Sequence, residues 1–331
     1  MEPFTLLYQD EKTGARVGIL HTAHGDVPTP VFMPVGTQGT VKAVAPDRLQ
    51  SIGVKMILGN SYHLHLRPGE ELIREAGGLH RFMSWKGSIL TDSGGFQIFS
   101  LSDLVKIDDQ GAIFRSHLDG SFHHFTPEVS MQIQQDIGAD VVMALDQCVG
   151  YPASDYHVKT ATERTLVWAQ KCRQVFRSEN QLLFGIVQGG THPGLRRMSA
   201  QETVHIGFDG YAIGGLSVGE PKPIMYSMIE EVVPYLPFSQ ARYLMGVGSP
   251  DSIVEGVKRG VDMFDCVLPT RNARNAALLT WSGRMNIDRL EFARDNHPID
   301  PQCQCYTCQN LSRSYLRHLF QAGEILAAEL A

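Results

Sequence analysis

One phrase recurs along this chain of 331 residues: a short apolar run, a polar or glycine-rich loop, then a helix that opens on proline and closes on glycine. Four helices carry both marks: Ala45-Pro46-Asp47 to Gly53, Thr126-Pro127-Glu128 to Gly138, His192-Pro193 to Gly207, and Ser249-Pro250-Asp251 to Gly260. Proline's missing N–H costs nothing at the first helical position, and a closing glycine takes the left-handed conformation that other residues resist. The apolar runs are Thr29–Met33, Lys55–Leu58, Ser88–Leu90, Asp140–Leu145, Leu182–Val187, Tyr211–Ile213, Arg242–Met245 and Met263–Phe264. Strands buried on both faces lose the alternation of a half-exposed sheet and read as near-continuous apolar stretches. Eight such units predict an α/β fold, a TIM-type (β/α)8 barrel, over a doubly wound sheet.

Two segments interrupt the rhythm. Arg16 to Val31 predicts a β-hairpin around His24-Gly25-Asp26 that closes the barrel floor. Thr280 to about Gln309 predicts a subdomain inserted into the last strand-to-helix connection, followed by a helix over Tyr315–Leu330. The expected division is therefore a barrel with its N-terminal β extension over 1–279, and a metal-binding subdomain with the start of a final helix over 280–331.

Composition narrows the class. With 43% hydrophobic and 19% charged residues the chain can bury a large core and gives no sign of disorder. No apolar stretch is long enough to span a bilayer and no basic-flanked apolar run opens the sequence, so a cytoplasmic protein without a membrane partner is expected. The net charge of −6 argues against indiscriminate nucleic-acid binding while leaving room for a local basic patch. Cys303, Cys305 and Cys308, three of the six cysteines, crowd into one turn. That spacing suits a zinc site better than a disulfide framework.

In such a barrel the polar residues just past each strand converge on one mouth. Here they are Asn60, Asp92, Ser93, Asp146, Gln188, Gly215 and Asp265. Any single aspartate among them reads equally well as a helix cap. Three carboxylates at one dry mouth, however, carry a desolvation cost unless they are paired or used. Two carboxylates flanking a sugar suit displacement at an anomeric carbon, one attacking and one moving the proton, and Asp265 and Asp92 fit that pair. A third, Asp146, can accept two N–H donors from the amidine edge of guanine, with Gln188 and the Gly215 N–H completing the recognition and Phe96 offering a stacking face. On these residues alone a retaining glycosidase of free sugars stays open. His63-x-His65 raises a metal-dependent hydrolase, although no third ligand spacing accompanies it.

Five strings carry a more specific signal: Thr91-Asp92-Ser93-Gly94-Gly95-Phe96-Gln97, Val187-Gln188-Gly189-Gly190, Ile213-Gly214-Gly215-Leu216-Ser217-Val218-Gly219-Glu220, Phe264-Asp265-Cys266-Val267-Leu268-Pro269-Thr270-Arg271, and the terminal cysteines. In this order, over nearly the whole chain, they resemble the bacterial tRNA-guanine transglycosylases. The resemblance implies an enzyme of queuosine biosynthesis, a pentosyltransferase that replaces the wobble guanine of GUN-anticodon tRNAs by pre-queuosine base (preQ1) through a covalent aspartyl-ribose intermediate. It implies Asp265 as nucleophile and Asp92 as general acid/base. Ser93, Asp146, Cys148, Gln188 and Gly215 would bind guanine or preQ1, the Leu216 carbonyl and Glu220 would meet the aminomethyl group, and Phe96 and Met245 would sandwich the base. Arg271 and Arg274 would contact the uridines beside the target in the anticodon loop.

The same resemblance implies one structural Zn2+ per subunit and a homodimer. Its fourth zinc ligand is a histidine some two dozen residues past the third cysteine, beyond Ala331, and His318 matches a helix position instead. Phe96 stands where bacterial members often have tyrosine, Gln147 where they usually have glutamate, and Val149-Gly150 where they have a Thr-Pro type pair. Cys148 and Val218 follow the bacterial pattern, which favours preQ1 over queuine. A non-catalytic tRNA-binding paralogue is the remaining alternative within the family.

Overall fold

The computed structural model describes residues 2–101 and 105–331. Eight parallel strands close into a barrel: β1 Val31–Gly36, β2 Met56–Gly59, β3 Ser88–Thr91, β4 Val141–Met143, β5 Leu182–Val187, β6 Gly210–Ile213, β7 Ala241–Leu244 and β8 Met263–Cys266. Each strand pairs with the next, and β8 returns to β1 with Asp265 opposite Met33. The expected fold class is therefore the observed one. The first strand differs in detail, because Thr29 belongs to a separate sheet and β1 starts only at Val31. Pro30 lies between them and, lacking an N–H, cannot carry one ladder into the other.

The apolar strands have two buried faces for a geometric reason. Met33, Met56, Leu58, Leu90, Met143, Phe184, Ile186, Ala212, Tyr243 and Met263 fill the interior. Their alternates, such as Ile57, Ile89, Val142, Leu183, Val187, Leu244 and Phe264, pack against the surrounding helices. One of those helices carries both expected caps: Pro127–Ile137 opens with the Thr126 hydroxyl accepting the Val129 N–H at 3.2 Å and closes on Gly138 at φ 76°.

At the N-terminal end of the strands, the predicted hairpin forms from Arg16–Thr22 and Gly25–Thr29. Phe4–Gln9, which the sequence reading left unassigned, adds a third antiparallel strand. Phe4, Leu20 and Val27 from this sheet plug the interior. Arg16 locks it in place with a buried bidentate pair to Asp262 (3.0 and 2.8 Å) and bonds to the carbonyls of Phe238 and Gln240. A second insertion was not visible in the sequence pattern. Three antiparallel strands, Val105–Asp108, Gly111–Arg115 and Phe122–Phe125, lie between β3 and the helix Pro127–Ile137.

After β8 come a short helix, Leu268–Arg274, and a hairpin, Ala277–Thr280 with Gly283–Asn286. Ala276, Leu278, Ile287, Ile299, Cys308 and Leu316 form a small separate core. The expected helix Tyr315–Leu330 is two helices, Arg313–Ala322 and Leu326–Leu330. Gly323, left-handed at φ 71°, ends the first and breaks the run. No helix among the described residues is long and apolar enough to cross a membrane.

Candidate active site

Asp92 follows the last residue of β3 and is only 8% exposed. Its Oδ2 accepts from Asn60 Nδ2 at 2.5 Å, and its Oδ1 accepts from the Ser61 N–H at 2.9 Å and the Ser61 hydroxyl at 3.3 Å. Asn60 in turn caps the helix Ser61–Leu66 by accepting the His63 N–H at 3.0 Å. Asp92 thus leans on the start of a neighbouring helix, Ser61–Leu66. Burial pushes its pKa up to about 7, opposed by the Ser61 N–H and reinforced by the charges of Asp265 and Asp146.

Asp146 lies past β4 and is equally enclosed. Ser93 Oγ donates to its Oδ1 at 2.6 Å and Gln188 Nε2 to its Oδ2 at 2.7 Å. Burial raises its pKa while these two bonds pull it back. The loop after β3 runs so close to it that a Cβ on Gly95 would sit 2.2 Å from the Asp146 carbonyl oxygen.

Asp265 is inside β8 itself. Both of its protein donors converge on Oδ1, the Tyr243 hydroxyl at 2.6 Å and the Gly246 N–H at 2.7 Å. Among the described residues no hydrogen bond reaches Oδ2. Burial raises this carboxyl's pKa too, against the two donors. Tyr243 stands inside β7, so it is not among the polar residues just past the strands. A usable signal existed: a tyrosine on an inward-facing strand position must find a partner for its hydroxyl when buried.

The remaining predicted base-site residues follow β3, β4, β6 and β7 in the chain. Gly215, at φ +61°, passes so close to Gln188 that a Cβ would lie 2.1 Å from Oε1, so only glycine fits. Met245 Sδ would be 3.5 Å from a Cβ on Gly214. Cys148 is buried beside Asp146, and burial pushes its thiol up to about 12, leaving a neutral wall group. Leu216 is buried, and Glu220 accepts the N–H groups of Ser217 (2.5 Å) and Val218 (3.0 Å). Phe96 opens the helix Gly95–Leu101 with 47% of its surface exposed. Gln147 faces away, its Oε1 held by Arg164 at 2.8 Å. Arg271 and Arg274 stand on the helix Leu268–Arg274, immediately beyond the strand that carries Asp265.

Several other basic residues are already engaged. Lys258 and Arg259 pair with Glu255, Arg289 with Glu291, and Arg313 with Asp295. His63 and His65 sit in the helix Ser61–Leu66, where His65 is held between Glu70 (2.7 Å) and His123 (2.9 Å). Neither belongs to a group of metal-type donors among the described residues.

Cys303, Cys305 and Cys308 bring their sulfurs within 4.8 Å of one another and could hold a metal ion. The Cys305 N–H points to Cys303 Sγ and the Cys308 N–H to Cys305 Sγ, each at 3.5 Å, which favours thiolates. His24, His80 and Asp140 form a second cluster at the opposite end of the barrel from the three aspartates. There the two imidazoles stack at 3.5 Å, each bonded to the Asp140 carboxylate, so their in-plane lone pairs do not converge on one ion.

Residues 10–331 match the family model described as TGT, queuine tRNA-ribosyltransferase. A protein of Pelotomaculum thermopropionicum named queuine tRNA-ribosyltransferase is 59% identical over 327 residues, 99% of this chain and 88% of that protein. One of the same name from Moorella thermoacetica is 58% identical over the same share of both chains. Another, from Acetivibrio thermocellus, is 54% identical, again over 99% of this chain and 88% of its own length.

Proposed function

This chain belongs to the queuine tRNA-ribosyltransferase family, and on that premise we propose that it is the transferase that exchanges the wobble guanine of GUN-anticodon tRNAs for preQ1. The observation that carries the reading is a division of labour between two buried carboxylates at one mouth. Asp265 has both protein donors on Oδ1, which leaves Oδ2 for attack, while Asp92 has a pKa raised to about 7 and holds a proton near neutrality.

Asp265 Oδ2 attacks C1′ of the target nucleotide, and the C1′–N9 bond breaks as an ester to the ribose forms. The departing guanine takes the proton of Asp92. The incoming base then returns a proton to Asp92, its N9 attacks C1′, and the Asp265 carboxylate is regenerated. Asp146 accepts N–H groups from the amidine edge of the base, Gln188 and Gly215 face its carbonyl, and Phe96 and Met245 flank its ring. Cys148 and Val218 line the side where a 7-substituent extends and favour the compact preQ1 over queuine, with Leu216 and Glu220 beside its aminomethyl group. Arg271 and Arg274 take the anticodon-loop nucleotides next to the target, which an unpaired loop surrenders at little unstacking cost.

We further assign Zn2+ to Cys303, Cys305 and Cys308. Bound there, it would cross-link a segment whose small core is separate from the barrel; that core includes Ala276 and Leu278, so we place the start of the C-terminal unit at about Ala276, a few residues before the expected 280. A homodimer formed through that unit, in the cytoplasm, completes the proposal. The test is incorporation of labelled guanine or preQ1 into an unmodified tRNA bearing a wobble guanosine. Incorporation by the parent and its loss in Asp265→Asn are expected; incorporation by the variant at the parent's rate would overturn the assignment.

A further inference from the structure

Arg196, on the helix Pro193–Ile206, is fully buried, yet among the described residues no carboxylate pairs with it. Its guanidinium reaches main-chain carbonyls instead: Nε donates to Gly190 at 2.7 Å, Nη1 to Val187 at 3.1 Å and to Gly214 at 2.7 Å, and Nη2 to Gly215 at 3.0 Å. Burial lowers its pKa only to about 10, so it stays a cation at neutral pH. A guanidinium placed on four carbonyls uses its planar fork in a way that the ammonium of lysine cannot copy.

These carbonyls belong to the two loops that leave β5 and β6 and carry Gln188 and Gly215. In a trans peptide the C=O of one residue and the N–H of the next point in opposite directions. Holding the Gly214 carbonyl therefore turns the Gly215 N–H away from Arg196 and from the helix on which it stands. The peptide before Gln188 is held at both ends, its Val187 carbonyl by Arg196 and its Gln188 N–H by Ser199 Oγ at 3.1 Å. The Val187 carbonyl also accepts the Gly214 N–H at 3.0 Å, so a single oxygen joins the two loops at the guanidinium.

Asp146, ionised, can only accept, and is suited to the N–H groups of a purine amidine edge. The adjacent O6 needs donors, and the Gln188 amide and the Gly215 N–H supply them. We propose that Arg196 is the positioning residue for this half of the recognition: by clamping both loops it sets the Gln188 amide and the Gly215 N–H at the spacing that reads the purine carbonyl. The inference rests on the functional reading above, since it presupposes that the base held at Asp146 is a guanine.

The test compares guanine with 2-aminopurine, which keeps the amino group and lacks O6 and the N1–H that goes with it, each ligand being compared between the parent, Arg196→Met and Arg196→Lys so that the lost N1–H cancels. Dissociation constants are measured by calorimetry, folding by circular dichroism and melting, and the tRNA KM in the exchange assay. Arg196→Met takes a donor away from four carbonyls and is expected to lower the melting temperature, so folding is read first, and Arg196→Lys, which keeps a cationic donor there, is the second variant. A site built to bond an oxygen discriminates strongly against the analogue lacking it. The expected result is guanine binding weakened by at least roughly tenfold, the loss of about one well-placed hydrogen bond, with 2-aminopurine binding unchanged and the tRNA KM raised by no more than that factor, because the target guanine enters the same site. Equal weakening of both ligands, or no change in either, would overturn the role of Arg196. So would failure of both variants to fold, which would make Arg196 an element of stability alone. A parent that binds no guanine would instead overturn the functional reading from which the inference starts.

Discussion

Removing the Tyr243 hydroxyl tests how far one donor holds down the pKa of the buried Asp265. Tyr243 is completely buried and donates to Asp265 Oδ1 at 2.6 Å, leaving the Gly246 N–H as the other donor. Burial already raises the Asp265 pKa, so each donor is needed to hold it down. A hydrogen bond to a charged group contributes about 2 kcal/mol, so the Tyr243→Phe carboxyl should titrate higher than the parent's. The ring remains in place, so the barrel interior loses one oxygen and no packing. The assay is kcat/KM for tRNA in guanine exchange as a function of pH, which reports ionisations of the free enzyme. On the acidic limb the variant should be about 30-fold slower, the factor to which about 2 kcal/mol corresponds, and the two profiles should converge once Asp265 is ionised in both proteins. A uniform loss at every pH, or an acidic limb that does not move, would refute the idea that this hydroxyl works through the charge of Asp265.

The other expectations concern Asp92, Gly95 and the cysteines. Asp92 has its folded pKa raised from 3.8 to about 7, so between those values the unfolded chain ionises while the folded one does not. This group's contribution to stability is therefore full at acid pH and falls as pH rises through that window, by about 4 kcal/mol in all. Asp92→Asn should accordingly melt higher than the parent at pH 8 and alongside it near pH 4, while losing exchange; parallel melting curves at both pH values would contradict this. Gly95→Ala places a Cβ 2.2 Å from the Asp146 carbonyl oxygen and should raise the guanine KM, whereas Gly194→Ala, where a Cβ meets nothing within 4 Å, should leave it unchanged. Metal analysis of the purified protein should find one zinc per chain, lost in Cys308→Ser, whose small core should then melt at a lower temperature than in the parent; retention of metal by that variant would move the site elsewhere.

Much of the barrel could be read from local chemistry, because a strand buried on both faces and a helix between proline and glycine each leave marks within a few residues. The same locality exposed Asp92, Asp146 and Asp265, since the carboxyl end of a barrel strand is a place that sequence order defines. What stayed hidden depends on distant partners. Tyr243 looks like core until Asp265, on the adjacent strand, supplies a partner for its hydroxyl. Arg196 reads as an ordinary helix charge until the loops after β5 and β6 fold over it. The sheet between Val105 and Phe125 escaped because its short strands carry mixed polar residues and only two glycine turns. Gly323 was passed over inside an otherwise helical pattern, and its left-handed φ ends one helix there.

The most direct test of the account is to mix the parent enzyme with unmodified tRNA and no incoming base, stop the reaction in denaturant and map any protein–RNA adduct by peptide mass spectrometry. An ester between the target ribose and Asp265, absent from Asp265→Asn and discharged when preQ1 is added before quenching, is the expected result. An adduct on Asp92, or exchange that proceeds in the parent with no adduct at any time point, would contradict it.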